Sequence, residues 1–381
     1  MHIGHFIQDL DGKGGIETYV ARLMDGLDER GHRCTVFGLQ GDASTANRVR
    51  LPSMASLYAT ADRRGVDVLH LHTTVSEPPP PTLPVLRTVH DNGAACPSGS
   101  RYLQRTGTPC PRIASLPACL FGHYVDGCGS RRPSKVRENF QRLASNRRVL
   151  SEIQTVTVSQ YLKETMVTLG YPSENLHVVL SPAPLPPSDP PSLPQEGPPR
   201  LLFVGRLVPE KGVDWLLRAV AALDCPMHLD IAGAGDHEAA LRKQVDTLGL
   251  QDAVTFHGWT DGPALAALFK SARAVVVPSV WHEPAGLVPL EAAAWGRPVV
   301  ASRVGGLPEY AHSSFSVLVP PNDDPALTDA LRRLCTTPKA AADLGRAGRA
   351  HVRRHHAMDR FLDQHEELYA SLHASVPHPP H

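Results

Sequence analysis

Two α/β domains, each built on a parallel sheet and facing one another across a cleft, are what three features of this 381-residue sequence predict. Short apolar runs alternate with stretches of helical spacing in both halves of the chain. Strand, helix and strand in repetition imply a parallel sheet covered on both faces. Between the halves lies a proline-rich stretch, Ser181 to Pro199, whose composition favours a stiff, extended connector. These features divide the chain into a first domain over 1–181, a linker over 182–199, a second domain over 200–355, and a last helix with a tail over 356–381.

The first strand is read at 2–7, followed by a glycine-rich loop from Asp9 to Gly15. From Ile16 to Arg30 the apolar residues Tyr19, Val20, Leu23 and Leu27 fall at helical spacing, and Gly31 stops the helix. Further strands are expected at Arg33–Leu39, Asp67–Leu71, Leu86–His90, Thr155–Val158 and His177–Leu180. In open parallel sheets, ligands sit at the carboxyl ends of strands. Gly14, Gly15, His70, His72 and His90 fall at such ends. His70 and His72 read equally as acceptor-side polar groups and as strand-end residues. The range 91–150 breaks the rhythm and reads as an insertion. The second half resumes with strands at Arg200–Val204, Met227–Ala232 and Ala253–Phe256, helices near 213, over 236–248 and over 262–271, and an almost wholly helical tail over 323–373.

Composition excludes several classes. Acidic and basic residues balance, 38 against 38, so nothing marks nucleic acid as the partner. No run approaches the ~20 apolar residues of a membrane span. The first residues lack a basic segment and an apolar core, so no signal peptide is read. A cytoplasmic location is expected, and the 7 cysteines fit reduced thiols or a metal better than a disulfide framework.

The chemistry concentrates between Pro278 and Glu309, where a strand, a loop, a helix and another strand follow in order. Glu283 lies in the loop and Glu291 in the helix's first turns. A helix N-terminus offers unpaired N–H groups and partial positive charge, which suits a phosphate. An anion on the amides of Ala285, Gly286 and Leu287, with a carboxylate on either side to accept hydroxyl protons, describes a bound sugar nucleotide. Upstream, Arg206 and Lys211 stand five positions apart at a strand end and a helix start, within reach of one diphosphate. Fixed cations there would stabilise the charge that develops on a departing phosphate.

Other motifs weigh less. The run at Gly233 to Glu238 approaches a dinucleotide fingerprint, but its last position is Glu238 and it does not follow a first strand, so a dehydrogenase is rejected. Asp9 and Asp11 mimic a metal-binding pair, yet their place in a glycine loop favours loop capping. Cys96, Cys110, Cys119 and Cys128 are spaced C-x13-C-x8-C-x8-C, without the close pair typical of zinc sites. Loop thiols are favoured over a metal there, with His123 a further candidate ligand. Arg131 to Arg148 carries seven basic residues and one acid, which fits a solvated helix face or docking on an anionic membrane surface.

Taken together, Gly14-Gly15-Ile16-Glu17, Phe203 to Gly212 (FVGRLVPEKG), Ile231 to Glu238, Glu283 with Glu291, and Arg303 to Glu309 resemble the retaining nucleotide-sugar glycosyltransferases of the GT-B fold, family 4 type. The resemblance covers nearly the whole chain and is strongest over 200–310. It implies a hexosyltransferase that moves a sugar from a nucleoside diphosphate donor to a hydroxyl acceptor with retention, in cell-surface polysaccharide or glycolipid assembly. By resemblance, Arg206 and Lys211 hold the diphosphate beside Gly205, Glu291 accepts from the ribose, and Glu283 orients the sugar. Gly14 and Gly15 approach the donor from the opposite domain. His90 stands near the transferred sugar, with Asp91 beside it. The family often has Phe at the position of Ala285, so this pocket lacks an aromatic wall. No obligatory cofactor or metal is implied, and the last helix is expected to return to the first domain. Alternatives are a sugar-nucleotide epimerase or phosphorylase of the same fold, or a non-catalytic sugar-nucleotide-binding subunit.

Overall fold

The computed structural model describes residues 1–12, 14–75, 77–186, 192–194 and 197–375. Parts of the proline-rich connector (187–191 and 195–196) and the tail 376–381 lie outside the described residues.

The first sheet is parallel throughout and orders its seven strands β3-β2-β1-β4-β5-β8-β9. They are β1 (His2–Phe6), β2 (Arg33–Gly38), β3 (Arg48–Arg50), β4 (Val68–Leu71), β5 (Val85–Val89), β8 (Gln154–Thr157) and β9 (Leu176–Val178). The remaining pair, β6 (Tyr102–Leu103) and β7 (Thr108–Pro109), forms an antiparallel hairpin in the insertion. Helices α1 (Gly15–Glu29), α2 (Leu57–Arg63), α3 (Leu116–Phe121), α4 (Pro133–Leu150) and α5 (Gln160–Thr168) complete this half. Apolar clusters cover both faces of the sheet, one around Phe6, Leu69 and Val89, the other around Ile3, Leu23 and Val156.

The second sheet is also parallel, in the order β12-β11-β10-β13-β14-β15. Its strands are β10 (Arg200–Val204), β11 (His228–Ala232), β12 (Val254–Gly258), β13 (Ala274–Val277), β14 (Val299–Ser302) and β15 (Ser316–Val319). Helices α6 (Val213–Ala221), α7 (Glu238–Leu248), α8 (Gly262–Ser271), α9 (Leu287–Ala294), α10 (Leu307–Tyr310), α11 (Asp324–Thr336) and α12 (Pro338–His355) pack around it. The continuous Val and Ala runs of β13 and β14 are fully buried, as expected of strands covered on both faces. Asp323 caps α11 by accepting from the Ala326 amide at 2.9 Å.

The final helix, α13 (Met358–Ser375), lies against the first sheet. Its Phe361, Leu362 and Tyr369 pack with Ile3, Tyr19 and Leu23. Arg30 gathers Asp359, Asp363 and Glu366 of this helix at 3.0, 2.7 and 2.5 Å. The chain crosses between domains where the Ala183 amide donates to the His356 carbonyl at 2.9 Å, next to the break between α12 and α13.

Both sheets reverse their winding in the middle, at β1/β4 in the first and β10/β13 in the second. In doubly wound sheets the crevice at that reversal is where ligands bind. The loops that follow these four strands carry Gly14 and Gly15, His72, Arg206 and Lys211, and Glu283.

Candidate active site

Lys211 ends a single 3-10 turn, Pro209–Lys211, after β10. Gly212 follows with φ 70°, and a Cβ there would run into the carbonyl oxygen of Pro278. Only glycine meets both demands cheaply. The turn is tied down again where the Val280 amide donates to the Glu210 carbonyl at 2.9 Å. The β10 and β13 loops are thereby locked side by side. The result is an ion pair between Lys211 Nζ and Glu283 Oε1 at 2.6 Å. Ser279, fully buried, donates its hydroxyl to the same oxygen at 2.6 Å. Two donors on Oε1 fix the carboxylate. Lys211 Nζ also stands 5.5 Å from the centre of the Trp281 ring.

The Glu283 backbone is seated by the second glycine motif. Gly305 has φ 59°, and a Cβ there would fall 2.7 Å from the Glu283 nitrogen. The next amide, of Gly306, donates to the Glu283 carbonyl at 2.7 Å. Ala285 leads into α9, which has Gly286 as its N-cap and Leu287 as its first residue. The first-turn amides of a helix have no intrahelical acceptor, so this end offers N–H donors. Gly15 faces it from the other domain: a Cβ on Gly15 would meet the Leu287 side chain at 3.9 Å. Gly14, the N-cap of α1, donates its amide to Glu17 at 3.0 Å.

Glu291 lies within α9. Burial holds its carboxyl above the usual range, and Arg22 of α1 opposes that shift from across the cleft. Gly205 closes β10 by donating to the Ala232 carbonyl at 3.0 Å. Arg206 follows it, exposed, on the same loop as Lys211. The structure thus joins Lys211 directly to Glu283 and puts Glu291 on the helix that begins beside them. It holds Arg206 near by on the loop without an ion pair to the described residues.

His90 follows β5. Its Nε2 meets His72 Nδ1 at 3.1 Å, and His72 Nε2 meets His5 Nδ1 at 3.1 Å, a line of three imidazoles running inward. Burial, then the Arg87 and His365 charges, lower the His90 pKa to about 3. The ring is therefore neutral at physiological pH and acts as a hydrogen-bonding group. His70 is buried and spans Thr88 and Tyr369, at 2.7 Å each. His5, His70 and His72 bring their nitrogens within 4.8 Å of one another, but their bonds to each other, to Thr88 and to Tyr369 account for the proximity. Asp91 caps a short turn by accepting from the Gly93 amide at 2.7 Å. Asp9 accepts from the Asp11 amide at 3.0 Å, and Asp11 pairs with Arg48 at 2.8 Å, which is the loop-capping role expected of them.

Sequence reasoning missed the groups that hold the two domains together at this site. Asn92, fully buried, donates to the His282 carbonyl at 2.8 Å. The His282 ring stacks on Tyr161 with centroids 5.5 Å apart and donates from Nε2 to the Cys110 carbonyl at 3.0 Å. Glu309 accepts from the Gln160 and Tyr161 amides at 2.7 and 2.9 Å, capping α5 from the opposite domain. Ser159 donates to the Pro284 carbonyl at 2.6 Å. The only signal in the sequence was adjacency: His282 and Pro284 flank Glu283, and Glu309 ends the glycine run.

Two facing doubly wound domains, with a lysine–carboxylate pair at the reversal of the second and a glycine loop at that of the first, define the GT-B class. Two family models match the chain, Glycosyltransferase Family 4 over residues 13–182 and Glycosyl transferases group 1 over residues 187–351. The chain belongs to the GT-B glycosyltransferases, one family domain in each half. Among curated relatives, a D-inositol 3-phosphate glycosyltransferase of Arthrobacter sp. is 35% identical over 187 residues, 43% of this chain and 44% of its own length. The chain spans less than half the length of the curated relatives it matches. Among solved structures, sucrose-phosphate synthase of Thermosynechococcus elongatus superposes with a TM-score of 0.74 at 23% identity, covering 98% of this chain and 99% of that one. HepE of Anabaena, solved in complex with UDP and glucose, gives 0.71 at 18% identity, covering 97% and 100%.

Proposed function

We propose that this chain is a retaining glycosyltransferase that moves a hexosyl group from a nucleoside diphosphate sugar to a hydroxyl acceptor. The observation that carries this reading is the Lys211–Glu283 pair at the N-terminus of α9, opposite the glycine loop of the other domain. As the glycosidic bond breaks, negative charge grows on the departing diphosphate. Lys211, Arg206 and the α9 amides supply positive potential there, already in place before reaction. With cations fixed at that point, no divalent ion is needed, and turnover is expected to survive a chelator. Glu283 Oε2 accepts from the sugar hydroxyls and Glu291 from the ribose. His90, uncharged, hydrogen-bonds the sugar rather than acting as an acid. Retention follows if the leaving phosphate takes the acceptor's proton while the acceptor enters on the same face. The UDP and glucose bound by the Anabaena protein of the same fold support a nucleotide sugar as donor.

Cell-surface polysaccharide or glycolipid assembly is the setting we propose, with a glycan or lipid-linked acceptor and the enzyme resting on an anionic bilayer. No helix among the described residues is long and apolar enough to cross a membrane. Instead Leu116 and Tyr124 are exposed beside the basic helix α4, and Ile113, Phe121 and Val125 are exposed in the same insertion. Apolar side chains next to a basic face are what interfacial docking requires.

The deciding experiment screens a panel of nucleotide sugars by thermal shift, then for release of the nucleoside diphosphate, with the anomer of the product read by NMR. Stabilisation by one donor, slow hydrolysis and a retained anomer are expected. Donor binding without turnover, with any acceptor or with water, would leave a non-catalytic binding subunit instead.

A further inference from the structure

The insertion between β5 and α4 brings four cysteines from separate turns to one place. Cys96, Cys110, Cys119 and Cys128 all line a single hollow that is partly open to solvent. All four thiols are free. Two more groups line it, and both are left wanting. His123 is fully buried; its Nδ1 donates to the Ser130 carbonyl at 3.1 Å, and its Nε2 has no partner. Arg112 spends one side of its guanidinium on Asp126, at 2.5 Å, while its buried Nη1 has no acceptor. A buried polar atom without a partner is costly, because it gives up water and gains nothing in return. An orphaned guanidinium N–H in a hollow ringed by thiols marks a missing anionic, sulfur-bound centre.

The spacing of the ligands narrows its nature. A single zinc ion with Zn–S bonds near 2.3 Å would draw tetrahedral sulfurs to about 3.8 Å from one another. Among the described residues, no three of these cysteines and His123 bring their ligand atoms within 4.8 Å of one another. A four-iron cluster takes each thiolate at a different iron, so its four sulfurs stand further apart. Its net negative charge would meet the Arg112 guanidinium. We infer that Cys96, Cys110, Cys119 and Cys128 are the ligands of an iron–sulfur cluster, with Arg112 donating to its sulfur atoms and His123 against its flank.

The centre would be architectural and would act on the cleft. The Cys110 carbonyl receives the His282 ring, one residue before Glu283. Tyr102 of the hairpin packs with Leu201 and Phe203 in the second domain's core, and Asn322 donates to the Gly107 carbonyl at 2.8 Å. A cluster that pins the insertion therefore pins the domain across from it.

The test is metal analysis of the full chain purified without oxygen, with visible absorbance, acid-labile sulfide and zinc measured together. We expect ~4 iron and ~4 sulfide per chain, a broad visible charge-transfer band, and resistance to trypsin between Cys96 and Cys128. Cys110→Ser and Cys119→Ser should lose the band and the resistance, and Cys225→Ser, outside the hollow, should keep both. Should the serine variants misfold, the wild-type metal content still decides. Chain that carries one zinc, no metal after reconstitution with iron and sulfide, or paired cysteines by mass spectrometry overturns the inference.

Discussion

Lys211 and Glu283 are seventy-two positions apart and share one proton-bridged contact of 2.6 Å. Neither spacing nor composition encodes that distance. What encodes it is a set of small constraints that show in the sequence only as glycines and a serine: Gly212 against Pro278, Gly305 against Glu283, Ser279 beneath the carboxylate. The motif strings made these positions legible. The division of labour was not, because it depends on which backbone atoms approach one another. Gly305 and Glu309 read as a further family run, and the structure gives them separate tasks as the seat of Glu283 and the cap of α5. Gly212→Ala puts a methyl group into the Pro278 carbonyl in left-handed backbone. It should cost at least about 2 kcal/mol by urea unfolding. An unchanged midpoint would mean that the two loops do not pack as described.

At the scale of elements, the sheets were legible because their strands are buried on both faces and read as continuous apolar runs. The strand β10 and the helix α8 lie where the pattern put them, over 200–204 and 262–271. One element that escaped notice is β15 (Ser316–Val319), a strand of only four residues. In the 41–66 stretch, β3 and α2 are short and half exposed, so neither period develops. The insertion was legible as an interruption only; its hairpin and α3 are too short to develop a period, and the thiol-lined hollow arises from turns separated in sequence. The helix α4 carries the basic residues noted above, and its neighbour α3 presents Leu116 and Phe121 to solvent. Vesicles containing anionic lipid should sediment the protein, with binding weakened several-fold when Arg137, Arg147 and Arg148 are changed to glutamate and when salt is raised. Equal sedimentation on neutral vesicles, or none on either, would contradict docking through this face.

At the scale of the whole molecule, α13 binds the first domain through a buried polar cluster. Tyr369 meets His70, Tyr19 meets His365 at 3.0 Å, and His5, His72 and His90 continue the line toward the cleft. Burial depresses all five histidines, His5 and His90 to about 3, His365 to about 4, and His70 and His72 well below the usual value. An unfolded chain takes up these protons near pH 6.5, whereas the native state refuses them until far lower. Stability is therefore full above about pH 6.5 and falls as the pH drops from there toward 4, by up to about 1.4 kcal/mol per pH unit for each histidine involved. Urea midpoints at pH 7.5, 6 and 5 should decline steeply in that order. A flat profile would show that the histidines are protonated in the native state.

The central claim is that Lys211 and Glu283 act on the donor's diphosphate and sugar. Its most direct measurement is calorimetric titration and single-turnover hydrolysis of the donor that emerges from the panel, in wild-type protein, Lys211→Ala and Glu283→Gln. The account predicts that Lys211→Ala weakens nucleoside diphosphate binding and slows hydrolysis by about 100-fold or more. Glu283→Gln should slow hydrolysis comparably while binding the free nucleoside diphosphate as tightly as wild type. Wild-type rates in either variant, or equal loss of free nucleotide binding in both, would contradict it.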